Sequence, residues 1–189
     1  MSQFFSRLPI ALSVHCFWLG AIAFLSLPYL TFYEQNLFSV SEPFFGAPLP
    51  TQTNKMAIRK DAFGEGDFGA KRSGGRKHSG IDIKAPVGHP VLASKSGRVS
   101  VVGWDKTGYG NYLELNHPDG LMTRYAHLSQ VNVVDGQWVT QGEIIGKVGN
   151  TGNASHPRMI AHLHYEIRFK HHALDPLKKL MDPSIIIQT

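Results

Sequence analysis

His162-Leu163-His164-Tyr165-Glu166-Ile167-Arg168-Phe169 alternates strictly between two kinds of residue. Leu163, Tyr165, Ile167 and Phe169 are apolar; His162, His164, Glu166 and Arg168 are polar. A period of two marks a β-strand with one buried face. Both imidazoles therefore leave the strand on the same side. Two same-side His on a rigid strand suit a metal ion, a proton relay, or one of each. Glu166 shares that face, one position beyond His164, and is expected as a solvated strand-end residue, with orientation of a ligand as the alternative.

Working outward, Gly75-Arg76-Lys77-His78-Ser79-Gly80-Ile81-Asp82-Ile83 places His78 and Asp82 four residues apart. In extended chain that spacing puts both on one face and turns Ile81 and Ile83 to the other. Neutral imidazole and carboxylate are good zinc ligands. A further His, His127, ends the strand-like run Leu121–Ala126. One ion needs three or four ligands from separate segments, and three such segments are present. Single His residues such as His89 and His117 are read as solvated or hydrogen-bonded. There is no His-Glu-x-x-His helix, so no Glu is pre-placed as a base.

The remaining soluble part reads as short strands divided by turns. Strands are expected over Gly80–Ile83, Pro90–Ala93, Gly97–Trp104, Asn111–Asn116, Leu121–Ala126, Gln137–Val139, Glu143–Gly149 and His162–Phe169. Asp119-Gly120 between two of them is a hairpin signal. One short helix is expected around Pro176–Met181. This spacing indicates an all-β antiparallel sandwich or barrel. A weak internal echo links Ala85–Val91 leading into Gly97-Arg98-Val99 with Asp135–Val139 leading into Gly142–Gly146. It resembles the half-motif of lipoyl- and biotinyl-type domains. A carrier or binding module on a hybrid fold is thus one reading, although the Lys such a carrier needs in its exposed hairpin is missing.

The chain also resembles the lysostaphin/LytM-type zinc metallopeptidases, which cut peptides of the bacterial cell wall. The resemblance spans roughly residues 64–177. It is carried, in the family's order, by His78-Ser79-Gly80-Ile81-Asp82-Ile83, Ala85–Val91, Gly108-Tyr109-Gly110-Asn111, Tyr125-Ala126-His127-Leu128, Val139–Gly146 and His162-Leu163-His164-Tyr165-Glu166. It implies a duplicated hybrid motif fold and one Zn2+ per domain, held by His78, Asp82 and His164. It implies that His127 and His162 are the catalytic pair, one accepting a proton from water and the other donating. Which does which stays open. Its substrate would be the peptide cross-links or bridges of peptidoglycan; a non-catalytic activator of another wall hydrolase is the alternative within the family. One departure stands out. The approach to the His-x-His pair, Gly152–Ala161, is long and basic and has Ala161 where Pro is usual. Tyr109 and Asn111, in a Gly-flanked loop, are candidate contacts to the substrate backbone, or members of a plain tight turn.

The 189 residues suffice for one domain and an appendage, and 42% hydrophobic content is ordinary for a globular protein. A formal charge of +5 and a pI near 9.4 are moderately basic. The basic residues are scattered and no groove-reading motif is found, so no nucleic-acid partner is expected. Cys16 is the only cysteine, which excludes an intrachain disulfide. Arg7 precedes an uncharged run, Leu8 to Tyr33, longer than the about 20 residues that span a bilayer. The run is read as an N-terminal transmembrane helix with Arg7 inside, or as a signal peptide cut after Ala21-Ile22-Ala23. Expected organisation is thus 1–33 anchor or signal segment, 34–60 linker and 61–189 catalytic domain. The domain would face the periplasm or exterior of a bacterial cell envelope, tethered to the inner membrane or secreted if cut. A regulatory envelope partner is left unspecified. Phe44 and Phe45 in the linker are read either as resting on the membrane interface or as packing on the domain.

Overall fold

The computed structural model describes residues 38, 40–53, 55–178 and 181–188. The segment 8–33, expected as a membrane span, lies outside them; among the described residues no helix is long and apolar enough to cross a membrane. Residues up to Ser41 group apart from Glu42–Thr189. Of the former, Ser41 Oγ donates to Phe38 O at 3.1 Å within a helical turn. Everything below concerns the latter.

Its strands are β1 Lys55–Ala57, β2 Lys60–Asp61, β3 Gly64–Glu65, β4 Ile81–Lys84, β5 Pro90–Leu92, β6 Gly97–Asp105, β7 Gly110–Asn116, β8 Leu121–Val131, β9 Trp138–Val139, β10 Ile144–Val148, β11 His162–Phe169, β12 His172–Leu174 and β13 Ile186–Gln188. The architecture is all-β. Among the named strands every pairing is antiparallel except β1 with β13. The main sheet runs β12-β11-β8-β7-β6-β9, with β4 on β11, and β10 joining β8 to β5. The two halves of the sequence echo interlock: β5 of the first pairs with β10 of the second, and β6 of the first with β9 of the second.

All eight expected strands form, with ends shifted by at most one residue except at β8, which runs on five residues past Ala126. Their apolar alternate positions close the core. Ile81, Ile83, Leu113, Leu115, Leu163 and Ile167 have no exposed surface. Burying side chains of this size stabilises by about 1.5–3 kcal/mol each. Two phenols are buried as deeply. Tyr125 OH and Tyr165 OH both meet Ser94 Oγ, at 2.8 and 2.7 Å, so neither polar tip is left unpaired. His117, among the lone His, is buried and hydrogen-bonded to Ser96 O and Thr123 Oγ1; burial lowers its pKa.

Two expectations differ from the structure. Pro176–Lys178 is a turn rather than the start of a helix, held by Asp175, whose Oδ1 accepts from Leu177 N; residues 179–180 lie outside the described set. The stretch read as a linker enters the fold from Glu42 onward. Glu42 accepts from Ser96 N and Oγ, and Phe45, Leu49, Met56 and Ile58 join the core. Phe45 therefore packs on the domain, edge-on to His117, while Phe44 stays 41% exposed.

Candidate metal centre

Register brings the site together. In the β11–β4 pair, His164 lies directly opposite Asp82, and in the β11–β8 pair it lies opposite Ala126. Directly opposed residues share a sheet face, so Asp82 and His164 point the same way by construction. His78 reaches the same point from the turn before β4. Gly80 permits this: a Cβ there would sit 2.3 Å from Tyr165 O and 2.9 Å from Glu166 Cγ, so only Gly lets the His78–Asp82 segment lie flush on β11.

Three donor atoms converge. Asp82 Oδ1 is 3.1 Å from His78 Nε2 and 2.9 Å from His164 Nδ1, and the two imidazole nitrogens are 3.0 Å apart. The edges of a tetrahedron built on zinc bonds of about 2.0–2.1 Å are about 3.3 Å, so the cluster fits one zinc ion after slight expansion. Each ligand's other polar atom is already committed. His78 Nδ1 faces Asp67 O at 2.9 Å, which places the proton there and the lone pair on Nε2. His164 Nε2 faces Glu166 Oε1 at 2.9 Å, which leaves Nδ1 for a metal. A carboxylate or carbonyl behind each ligand His is the usual support of a metal site.

Glu166 departs from the solvated role expected of it. It has no exposed surface. Besides His164 it accepts hydrogen bonds from Ser79 Oγ at 2.5 Å, Tyr109 OH at 2.9 Å, Arg124 Nη1 at 3.0 Å and Arg168 Nη1 at 2.8 Å. The polar face of β11 is buried because the site lies on it. Burial alone would raise the Glu166 carboxyl, but the His164, Ser79 and Arg124 partners hold it well below the usual range. Asp82 is likewise held well down: burial opposes, and its hydrogen bond from His164 together with the neighbouring His78 prevails. For His164, burial would lower the imidazole, yet its hydrogen bonds to Asp82 and Glu166 hold it at about 9.

His127 and His162 stand beside the cluster. Their ring centroids are 5.0 Å apart, and His127 lies 5.8 Å from His164. Strict alternation would turn His127 to the core side with Tyr125. Instead its φ is +63°, in the left-handed region that non-Gly residues seldom adopt. That twist, beside an irregularity in the β7–β8 register, swings the ring to the ligand face. His127 Nδ1 meets Thr151 O at 3.0 Å and His162 Nδ1 meets Ile160 O at 2.8 Å. A carbonyl can only accept, so both protons sit on Nδ1 and both Nε2 atoms carry a free lone pair. Burial first, then the neighbouring His164 and His162, pushes His127 down to about 3; burial likewise lowers His162.

Sequence comparison places this constellation. A model described as peptidase family M23 matches residues 76–176, just over half of the 189 residues. The chain belongs to peptidase family M23. The chain is 38% identical over 148 residues to the cell division protein DipM of Caulobacter vibrioides, covering 75% of this chain and 23% of that protein. It is 36% identical over 114 residues to the murein hydrolase activator NlpD of Salmonella dublin, covering 60% of this chain and 28% of NlpD. The M23 fold superposes on the catalytic domain of the antimicrobial peptidase lysostaphin from Staphylococcus simulans with a TM-score of 0.53 and 35% identity, over 65% of this chain and 92% of that one. The chain thus spans about a quarter of the two curated relatives and nearly the whole lysostaphin catalytic domain.

Of the other residues singled out in the M23 sequence, Tyr109 sits 5.6 Å from the His164 ring, under the Arg124 guanidinium at 4.5 Å, with its hydroxyl on Glu166. Asn111 Nδ2 donates to Leu128 O at 3.0 Å, tying β7 to β8. The unusual approach Gly152–Ala161 is braced from outside the M23 match: Ile160 N donates to Asp61 Oδ2 at 3.0 Å, and Phe63 lies 4.4 Å from His156. Sequence reading missed Arg59, Arg72, Ser79 and Arg124. Arg124 had a signal, since it stands opposite Glu166 in register; Arg59 lies in a stretch without periodicity and had none.

Proposed function

We propose that this M23 domain is a zinc endopeptidase that hydrolyses peptide bonds in bacterial peptidoglycan, outside the cytoplasmic membrane. The observation that carries the reading is the pair His127 and His162. Each is neutral, each has its tautomer fixed by a backbone carbonyl, and each keeps an Nε2 lone pair beside a complete three-residue ligand set. A purely structural metal site needs no such pair. The peptidase name of lysostaphin supports the reaction class, and the cell-division and murein names of DipM and NlpD support the wall as the setting.

His78, Asp82 and His164 would hold the ion. Zinc bound there lowers the pKa of water from about 15.7 to about 7 and polarises a peptide carbonyl. The chain's own groups do the rest. Asp82 contributes the single negative charge among the ligands, so the centre stays electropositive toward a developing oxyanion. Nε2 of His162 or His127 accepts the proton that water gives up. His162 has Asp82 Oδ1 3.9 Å from its Nε2 to steady the imidazolium. The protonated Nε2 then returns that proton to the leaving amine, while Nδ1–H stays on the backbone carbonyl and the ring does not have to flip. Glu166 keeps the His164 ring and its tautomer fixed throughout.

The test uses the full chain purified with zinc. Purified wall is digested and the fragments weighed by mass spectrometry, alongside a reporter fused at Thr189 that is active only when exported. Peptide-bond cleavage products absent with His127→Ala are expected. Zinc-loaded protein that releases nothing alone but speeds a second wall hydrolase would assign the activator role instead, and a cytoplasmic reporter would reject the location.

A further inference from the structure

The two oxygens of Asp82 face different worlds. Oδ1 looks at the ligand histidines. Oδ2 looks away, at two guanidinium groups: Arg59 Nη2 at 2.9 Å and Nε at 3.3 Å, and Arg72 Nη2 at 3.3 Å. Arg59 is itself only 3% exposed. A buried guanidinium is costly unless its partners are well placed, and here they are. Its Nη1 reaches Asp61 Oδ1 at 2.7 Å. The main chain locks the same contact: Arg59 N donates to Asp82 O at 2.8 Å, Asp82 N to Gly66 O at 2.8 Å, and Gly66 N to Arg59 O at 2.7 Å. Gly66 cannot be larger, because a Cβ would fall 2.8 Å from Arg59 O and 2.9 Å from Asp82 Cβ. These main-chain bonds tie the Arg59 segment to β4 independently of its side chain, so the Arg59 fork on Asp82 Oδ2 is free to serve a second role.

We infer that Arg59, assisted by Arg72, is a positioning clamp that confines Asp82 to one metal-binding oxygen. With Oδ2 held by a planar fork, the carboxylate cannot rotate to offer both oxygens to an ion. The two guanidinium charges also draw on the carboxylate's negative charge, which leaves a bound cation more electrophilic. Both residues lie before the M23 match at 76–176, so the upstream hairpin completes the metal centre of this protein. The inference rests on the zinc site of the proposed function, but not on any peptidase activity.

The experiment replaces zinc by cobalt(II) in the full chain and in Arg59→Lys, Arg59→Gln and Arg72→Gln. Lys keeps the charge but loses the fork, so it separates geometry from electrostatics. Freed of the clamp, Asp82 supplies its second oxygen and the cobalt gains a ligand, so its visible absorption bands weaken. Zinc affinity, by competition with a chromophoric chelator, falls about 10–100-fold in both Arg59 variants. Arg72→Gln, at a partly exposed side chain, leaves the fold intact and shifts both readouts the same way by less. A lowered melting temperature with wild-type cobalt bands and zinc affinity would reduce Arg59 to a structural brace and overturn the clamp. So would unchanged bands in Arg72→Gln if the Arg59 variants fail to fold. A wild-type chain that binds neither metal would overturn the zinc site itself, a result distinct from either.

Discussion

Zinc binding at neutral pH should expel one proton from His164, beyond what zinc-bound water loses. Without metal the ring lies between two buried carboxylates, Nδ1 on Asp82 Oδ1 and Nε2 on Glu166 Oε1, both at 2.9 Å. Burial disfavours its charge, but these two partners win and hold it at about 9. Nδ1 must lose its proton to bind a metal. The neutral fraction is then about 1% at pH 7, about 9% at pH 8 and about 50% at pH 9. The His164 proton alone should raise apparent zinc affinity about ninefold from pH 7 to 8 and about fiftyfold from pH 7 to 9, on top of the gain from ionising bound water. An imidazole at the ordinary 6.5 would give only about 1.3-fold over the same two units. The sign agrees with linkage. A raised folded-state pKa adds stability to the metal-free protein that is complete below about pH 6.5 and gone above about pH 9. Titration calorimetry at pH 7.5 in buffers of different ionisation enthalpy counts the protons directly. Released protons should exceed by close to one those lost by zinc-bound water, about 0.8 at pH 7.5 for a water pKa of about 7; an excess of only about 0.1 would mean that His164 is already neutral and that the two-carboxylate argument is wrong.

Three substitutions test other parts of the centre. His127→Ala and His162→Ala should each lower turnover on wall peptides by about 10²–10⁴ while zinc content stays at the wild-type level; loss of zinc in either would make that residue a ligand. Gly80→Ala should destabilise the fold by about 1–3 kcal/mol, because its Cβ would meet backbone at Tyr165 O, 2.3 Å away. It should also weaken zinc binding by shifting His78 against β11, and an unchanged urea midpoint would show that the close approach is not needed.

The sheet was legible because its strands follow one simple rule. Wherever one face is core, alternation fixes which residues are buried, and Leu163, Tyr165 and Ile167 are indeed fully enclosed. The same rule put His162, His164 and Glu166 on a common face. It could not say that this face is buried too. Alternation distinguishes polar from apolar, not solvent from site, so Glu166 looked like a surface residue until its five hydrogen-bond donors were in view. The upstream stretch was illegible for a different reason. Phe45 and Ile58 enter the fold through isolated bridges, to Met181 and Ile83, and single plugging residues leave no period to read. The turn at Pro176–Lys178 is fixed by local side-chain bonding from Asp175, which competes with a helical start.

His127 marks the limit of pattern reading most clearly. Its residue type drew attention, but its place in the strand pointed it at the core. Only a left-handed backbone at φ +63° turns it to His162 and His164. Such conformations cost of order 1–3 kcal/mol and persist where the surroundings over-determine them. Here the surroundings are explicit: His127 N donates to Tyr109 O at 2.8 Å, and its ring is held by Thr151 O. Thr151 in turn donates to Leu128 O and accepts from Asn111 N, both at 3.0 Å. The loop carrying Tyr109 and Asn111 therefore acts on the site through the backbone of β8, by holding open the twist that aims His127. Nothing in the residue types of that loop announces this task, because its contacts with His127 are made by carbonyl oxygens, which every sequence has.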